Sequence, residues 1–255
     1  MNRLLPGIIA LPLLSASALQ AQEQGRVAFV ACPIVQDTPT VPCWLAAHDG
    51  QIYYMGIQSD VSAPFNPPSL GHKVLVEGKL ADHEECGAKV IEPITISIMP
   101  ELSPECDELR MAREGVDISF TPPRPPGPSG GRLAFSFPDP PPPPKPPYTP
   151  KSFDIPYAFE GMVNFQTPRV MTPALEYAQL SKAKQIEVTG FRGATRLSDG
   201  TLLVEHGGIA RERAEEIVRM FRGAGLEDVE FKVTASEEAI EGGPENRHVS
   251  ITIVP

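Results

Sequence analysis

Two periodicities divide the chain. Between Gly25 and Met99 apolar residues come in short runs, GRVAFVAC, PCWLAAHDGQIYYMGI, HKVLVEGKL and AKVIEPITISIM, with turn residues at Asp49-Gly50 and Gly78. Runs rich in Val, Ile, Tyr and Trp between such turns predict four or five strands, and no long helical pattern competes with them. After Pro150 the pattern alternates: a strand FEGMVNF; a helix TPALEYAQLSKAKQ, with Thr172 able to cap it and Pro173 in its first turn; a strand QIEVTGF; and a loop RGATRLSDGTLLVEHGG. A helix from Gly208, a strand VEFKVTAS, an acidic loop EEAIEGGPEN and a strand RHVSITIV complete the order β-α-β-loop-α-β-β. The economical packing is one helical layer on a mixed sheet.

The helix GIARERAEEIVRMF contains an anomaly. At one hundred degrees per residue Ile209, Ala210, Ala214, Ile217, Met220 and Phe221 share one arc, and Arg211, Glu212, Glu215, Arg219 and Arg222 lie opposite. Arg213 falls inside the apolar arc, and close enough to the helix start for the dipole to disfavour a cation by a few tenths of a kcal/mol. A negative group is therefore expected beside it.

Between the two patterns composition shifts. From Thr121 to Pro150 the stretches TPPRPPGPSGG and PDPPPPPKPPYTP flank RLAFSF. Proline lacks the amide donor a ladder needs and favours extended polyproline geometry, so this reads as a semi-rigid spacer; RLAFSF either adds a strand to a neighbouring sheet or is disordered. The segments expected are a leader over residues 1–21, an all-β domain over 25–120, a Pro-rich linker over 121–152 and a second domain over 153–255.

The leader expectation rests on MNRLLPGIIALPLLSASALQAQEQ: a cation at Arg3, an apolar run from Leu4 to Leu14, then small residues permitting cleavage after Ala18 or Ala21. The run is shorter than the roughly 20 apolar residues of a membrane span, so a soluble exported protein without a transmembrane segment is expected. The net charge of -10 argues against nucleic acid, which requires clustered Lys and Arg. Cys32, Cys43, Cys86 and Cys106 make an even count, which in an exported chain predicts two disulfides. Of three connectivities, Cys32 with Cys43 and Cys86 with Cys106 close the shortest loops and are the expected pairs. A metal or redox site is the alternative, against which stands the absence of CxxC.

Other chemistry is sparse. DHEEC, Asp82 to Cys86, with His48 and His72, gathers metal-capable side chains, but consecutive residues rarely supply ligand geometry, and a solvated acidic turn beside a disulfide is expected. Trp44, Tyr53 and Tyr54 are candidates for a binding surface or for core. EEAIEGGPEN lacks EF-hand spacing. Nothing resembles a GxSxG elbow between a strand and a helix, since the letters occur only as GPSGG within the Pro-rich stretch; no HExxH, P-loop or dinucleotide motif is present, and Glu205 and His206, adjacent on an extended chain, point to different sides. A non-enzymatic protein with no cofactor and no metal is expected.

Two resemblances sharpen this outline. The strand order of the first half, with its Gly-flanked VLVEG, resembles an OB-fold barrel, although an Ig-like or SH3-like barrel reads much the same; such a surface would bind a peptide, glycan or partner strand. From Phe153 to Pro255 the chain resembles the OmpA-like carboxy-terminal domain, on three elements: QIEVTGF ending on Gly190, as the family's strand ends on a Gly-His-Thr-Asp motif; IARERA where the family has Leu-Ser-x-x-Arg-Ala; and NRHVSI against Asn-Arg-Arg-Val-Glu-Ile. The resemblance implies an α+β protein: a disulfide-bonded OB-like barrel, a Pro-rich linker and an OmpA-like β-α-β-α-β-β domain. It implies a periplasmic place at the cell wall or outer membrane and association with the diaminopimelate-containing stem peptide of peptidoglycan, with an envelope protein as a further partner.

By that resemblance Arg213 carries over as the arginine that grips the ligand, with Gly190 and His206 as neighbouring site positions; Asp199, in a loop longer than the family's, is a further candidate site residue. A guanidinium fork suits a carboxylate through two parallel charge-assisted bonds. The other half of the family's clamp is altered: Gly193 stands where its Asp belongs, His206 where its loop Asn belongs, and RLSDGTLLV enlarges the loop into a small hairpin. Two outcomes stay open. Asp199 or Glu205 restores a carboxylate for the ligand, or one of them pairs with Arg213 and closes the site. In the second case the domain is an interaction module without wall affinity, and the barrel carries a protein or glycan specificity.

Overall fold

The computed structural model describes residues 25–57, 68–116, 142–162 and 167–255. The expected leader, RLAFSF and the last residues of FEGMVNF lie outside them. The described chain is α+β: two mixed sheets, two helices and two disulfides. Among the described residues no helix is long and apolar enough to cross a membrane.

The first sheet comprises β1 (Arg26–Ala31), β2 (Pro33–Gln36), β3 (Cys43–His48), β4 (Gln51–Ile57), β5 (His72–Glu85), β6 (Ala88–Leu102) and β7 (Leu109–Arg110), in the order β1-β5-β6-β4-β3-β2-β7. Only Cys32 separates β1 from β2, yet β1 pairs with β5 and β2 with β3, so one bent segment serves distant parts of the sheet. Two tight hairpins set the register. Asp49 (φ 48) with Gly50 (φ 72) joins β3 to β4, and Cys86 (φ 52) with Gly87 (φ 67) joins β5 to β6, both being the left-handed pairs that two-residue hairpins favour. Gly78, expected in a turn, lies inside β5 at a register shift, where a Cβ would strike the Pro93 carbonyl. Asp82 to Glu85 likewise extend β5 instead of forming a turn. Trp44 and Tyr53 are core, packed with Phe29 and Met55, and half-buried Tyr54 lies against the Cys43 and Cys86 cluster.

The disulfides are Cys32–Cys106 and Cys43–Cys86, not the local pairs expected. Strand register is the reason. Pro33 is level with Ala46 and Gln36 with Cys43, which leaves Cys32 about four residues up the ladder from Cys43. At roughly 3.4 Å per residue that separation exceeds the ~7 Å a disulfide spans. The pairing of β2 with β7 instead brings Cys106 to Cys32, with Cα atoms 4.8 Å apart.

The second sheet holds β8 (Lys151–Pro156), β9 (Gln185–Arg196), β10 (Leu202–Val204), β11 (Glu230–Glu241) and β12 (His248–Val254). β12 lies antiparallel between β8 and β9, β11 runs parallel to β9 along its other edge, and β10 folds back on the end of β9. Helices α1 (Thr167–Ser181) and α2 (Ile209–Gly223) cover one face: Tyr177 and Ala178 from α1 and Ile217 and Phe221 from α2 share a core with Ile186, Val188 and Ile251. Several boundaries differ from expectation. The first strand is KSFDIP, not FEGMVNF. α1 starts before Thr172 and keeps Pro173 in its interior. β9 runs past Gly190 to Arg196, and part of the acidic loop continues β11 across a bulge between Ser236 and Ile240. The expected small hairpin forms, with Leu202 opposite Arg196. Of the Pro-rich segment, residues 142–150 are described, and its end is seated on α1: the Tyr177 hydroxyl accepts from the Thr149 amide at 3.1 Å and donates to the Thr149 carbonyl at 2.6 Å.

Candidate functional site

Helix α2 places Arg213 at the centre of the candidate site. Gly208, with φ 98, turns the chain into the helix, and Gly190 of β9 lies directly beneath, where a Cβ would collide with the Ala210 carbonyl. The helix thus sits close to the sheet, and Arg213 points inward with no exposed surface. Its anion is Glu205, also buried, which follows β10. Arg213 Nη2 donates to Oε1 at 2.6 Å and Nη1 to Oε2 at 3.1 Å, the forked two-bond geometry.

Both groups are saturated. Arg213 also donates from Nε to the Gly161 carbonyl at 2.8 Å, from Nη2 to the Ala158 carbonyl at 3.1 Å and from Nη1 to the Phe191 carbonyl at 3.4 Å. Glu205 further accepts the amides of Glu160 at 2.9 Å and Gly193 at 2.7 Å. Burying a charge is tolerable only with such partners. The Tyr157 ring lies under the guanidinium, 4.8 Å from centroid to Cζ, and burial pushes its phenol well above the ordinary range.

Ala158 to Gly161 form a turn closed by the Gly161 amide on the Ala158 carbonyl at 2.9 Å, with Glu160 at φ 53. Glu160 then holds His206. Its carboxylate accepts from the His206 amide at 2.6 Å and contacts ring Nδ1, while Glu212 stands 3.7 Å from Nε2. The bond to Glu160 holds the imidazole pKa above its ordinary value. Glu205 and His206 do face different ways, one into the core and one to the rim.

Asp199 does not join this cluster. It sits in the exposed hairpin turn, where its Oδ1 accepts the Thr201 amide at 2.8 Å, a bond that holds its carboxyl below the usual range. Its neighbour Ser198 reaches β1: the Ser198 amide donates to the Ala28 carbonyl at 2.7 Å and the Ala28 amide to Ser198 Oγ at 3.1 Å. The loop between β9 and α2 therefore serves two places, Arg213 at its base and the first sheet at its tip.

A second buried ion pair was not anticipated. Arg247, just before β12, joins Glu77 of β5 through both Nη atoms, with Nη1 to Oε1 at 3.2 Å and to Thr195 Oγ1 at 2.9 Å, while the Thr195 hydroxyl donates to Glu77 at 2.9 Å. All three are at most 1% exposed. Phe159 lies beside Arg247, and its amide donates to Ser97 Oγ of β6 at 2.8 Å. The sequence carried one signal: Glu77 is a charge inside the apolar run VLVEG. Among the described residues no group of three or more His, Cys, Asp or Glu is placed to hold a metal ion. Comparison with protein-family models, with curated proteins and with solved structures finds no match.

Proposed function

We propose that this chain is an exported, non-enzymatic envelope protein in which an OmpA-like domain acts as a scaffold for an OB-like barrel, with the arginine of the family's ligand site turned to a structural use. The fold supports both halves of this reading. The order β11-β9-β12-β8 under two helices is compatible with the OmpA-like resemblance, and β1-β2 counted as one bent strand with β3, β4, β5 and β6 supplies the strand number that an OB-type barrel would need. Two disulfides suit an oxidising compartment such as the periplasm.

The observation that carries the reading is the Arg213–Glu205 pair: every guanidinium nitrogen has a protein acceptor, and both side chains are shut from solvent. Specificity for a protein or glycan then belongs to the barrel. The test is sedimentation of the mature full chain with peptidoglycan sacculi at physiological salt. No sedimentation above a sacculus-free control is expected, and retention that Arg213→Ala abolishes would overturn the scaffold reading.

One observation favours peptidoglycan association as a second reading. Glu205 presents to the fork the carboxylate that the family's ligand would present, so a site for that group persists beneath it. On this reading a diaminopimelate-containing peptide displaces Glu205, and amides from Gly190 to Arg213 shift on titration.

A further inference from the structure

We propose that the Arg213 cluster and the junction between the two sheets form one latch, in which the Glu205 carboxylate sets how firmly the first sheet is held. The proposal rests on the scaffold reading and adds a regulation to it.

Two short pieces of chain connect the sites. The first is the turn Ala158–Gly161. From one side Arg213 holds the carbonyls of Ala158 and Gly161, and Glu205 holds the amide of Glu160. From the other, the Phe159 amide is bonded to Ser97 of the first sheet, with Phe159 and Ser97 both buried. Glu160 keeps a left-handed φ of 53, a conformation unfavourable in a non-glycine residue that persists only where its surroundings impose it. Its bond to Glu205 is one such restraint. The second piece is Gly193, whose amide donates to Glu205 and whose missing Cβ leaves room for the Arg247 side chain that reaches Glu77.

Loss of the Glu205 charge therefore releases two backbone amides at once, each within one or two residues of a junction contact. A carboxylate competing for the Arg213 fork would do the same. Coupling of this kind is reciprocal: loosening the junction must also loosen the cluster.

Hydrogen exchange on the full chain tests it. Glu77→Gln, at the junction, is read at the Arg213 Nε–H. Glu205→Gln, at the cluster, is read at the Phe159 amide, whose acceptor is Ser97 of the first sheet. Val188 and Ile251, inside the second sheet, report whether the fold persists. The expected result is exchange faster by about tenfold or more at the far site with core protection intact. Where a variant loses core protection, Ser97→Ala, which removes only the acceptor of the Phe159 amide, takes its place with Arg213 Nε–H as readout. Acceleration at a far site in either direction supports the latch. Wild-type rates at both far sites overturn it, and do so without touching the scaffold reading, which sacculus sedimentation decides separately.

Discussion

Gly193 lies against Arg247 so closely that a Cβ built on it would stand 2.7 Å from Arg247 Cγ. Position 193 is thus glycine for a local reason: Arg247 needs the space to reach Glu77. Gly193→Asp should lower stability by about 3 kcal/mol, through overpacking and a second buried carboxylate beside Glu205. Gly193→Ala should lose less, having the clash alone. Urea unfolding of both variants checks this, and an aspartate variant as stable as wild type would contradict it.

Removing Arg213 leaves Glu205 buried without its counter-charge. Arg213→Ala should cost about 3–5 kcal/mol in guanidinium unfolding. The double variant Arg213→Met with Glu205→Leu should cost less than either truncation to alanine, because no charge is stranded. Equal losses would mean that the backbone carbonyls of Ala158 and Gly161, not Glu205, dominate the site.

His206 introduces pH dependence. Glu160 raises its folded-state pKa above the ordinary 6.5. The sign follows: the protonated ring is favoured by folding, so this contribution is complete below pH 6.5 and is lost as pH rises through the higher folded value. Proton NMR titration should place the His206 midpoint above that of an unstructured histidine, and Glu160→Gln should return it toward that reference. A midpoint unmoved by the substitution would remove Glu160 as the cause.

Gly190 permits α2 to rest on β9. Gly190→Ala drives a methyl into the Ala210 carbonyl, a rigid backbone atom, and should cost about 1–3 kcal/mol or more. Amide exchange in the first turn of α2 should accelerate together with the loss of stability. A methyl accommodated without either change would show that the helix can back away freely.

Alternation and turn residues were enough to read β1, β3 and β4, the core of β5 and β6, and the hairpin around Asp199-Gly200, because each is a local property of its own segment. Arg213 inside an apolar arc was likewise legible as a cation needing an anion, and Glu205 was one of two candidates. What escaped was non-local or shifted by context. KSFDIP pairs with β12 through residues that look like linker, and α1 tolerates an interior proline because tertiary packing of Ala174, Tyr177 and Ala178 outweighs local propensity. Glu77 and Arg247 stand 170 residues apart, and nothing in either segment names the other. The reason for Gly193 is hidden in the same contact.

The disulfide connectivity bears on how the protein matures. Cys43 and Cys86 both lie between Cys32 and its partner Cys106 in the sequence. A chain oxidised from its amino terminus as it crosses a membrane would present Cys43 to Cys32 long before Cys106 arrived. First-come pairing would then trap a ring that the native ladder cannot contain, and only exchange by another thiol could undo it. A chain oxidised in that order would need a catalyst that shuffles bonds as well as one that makes them.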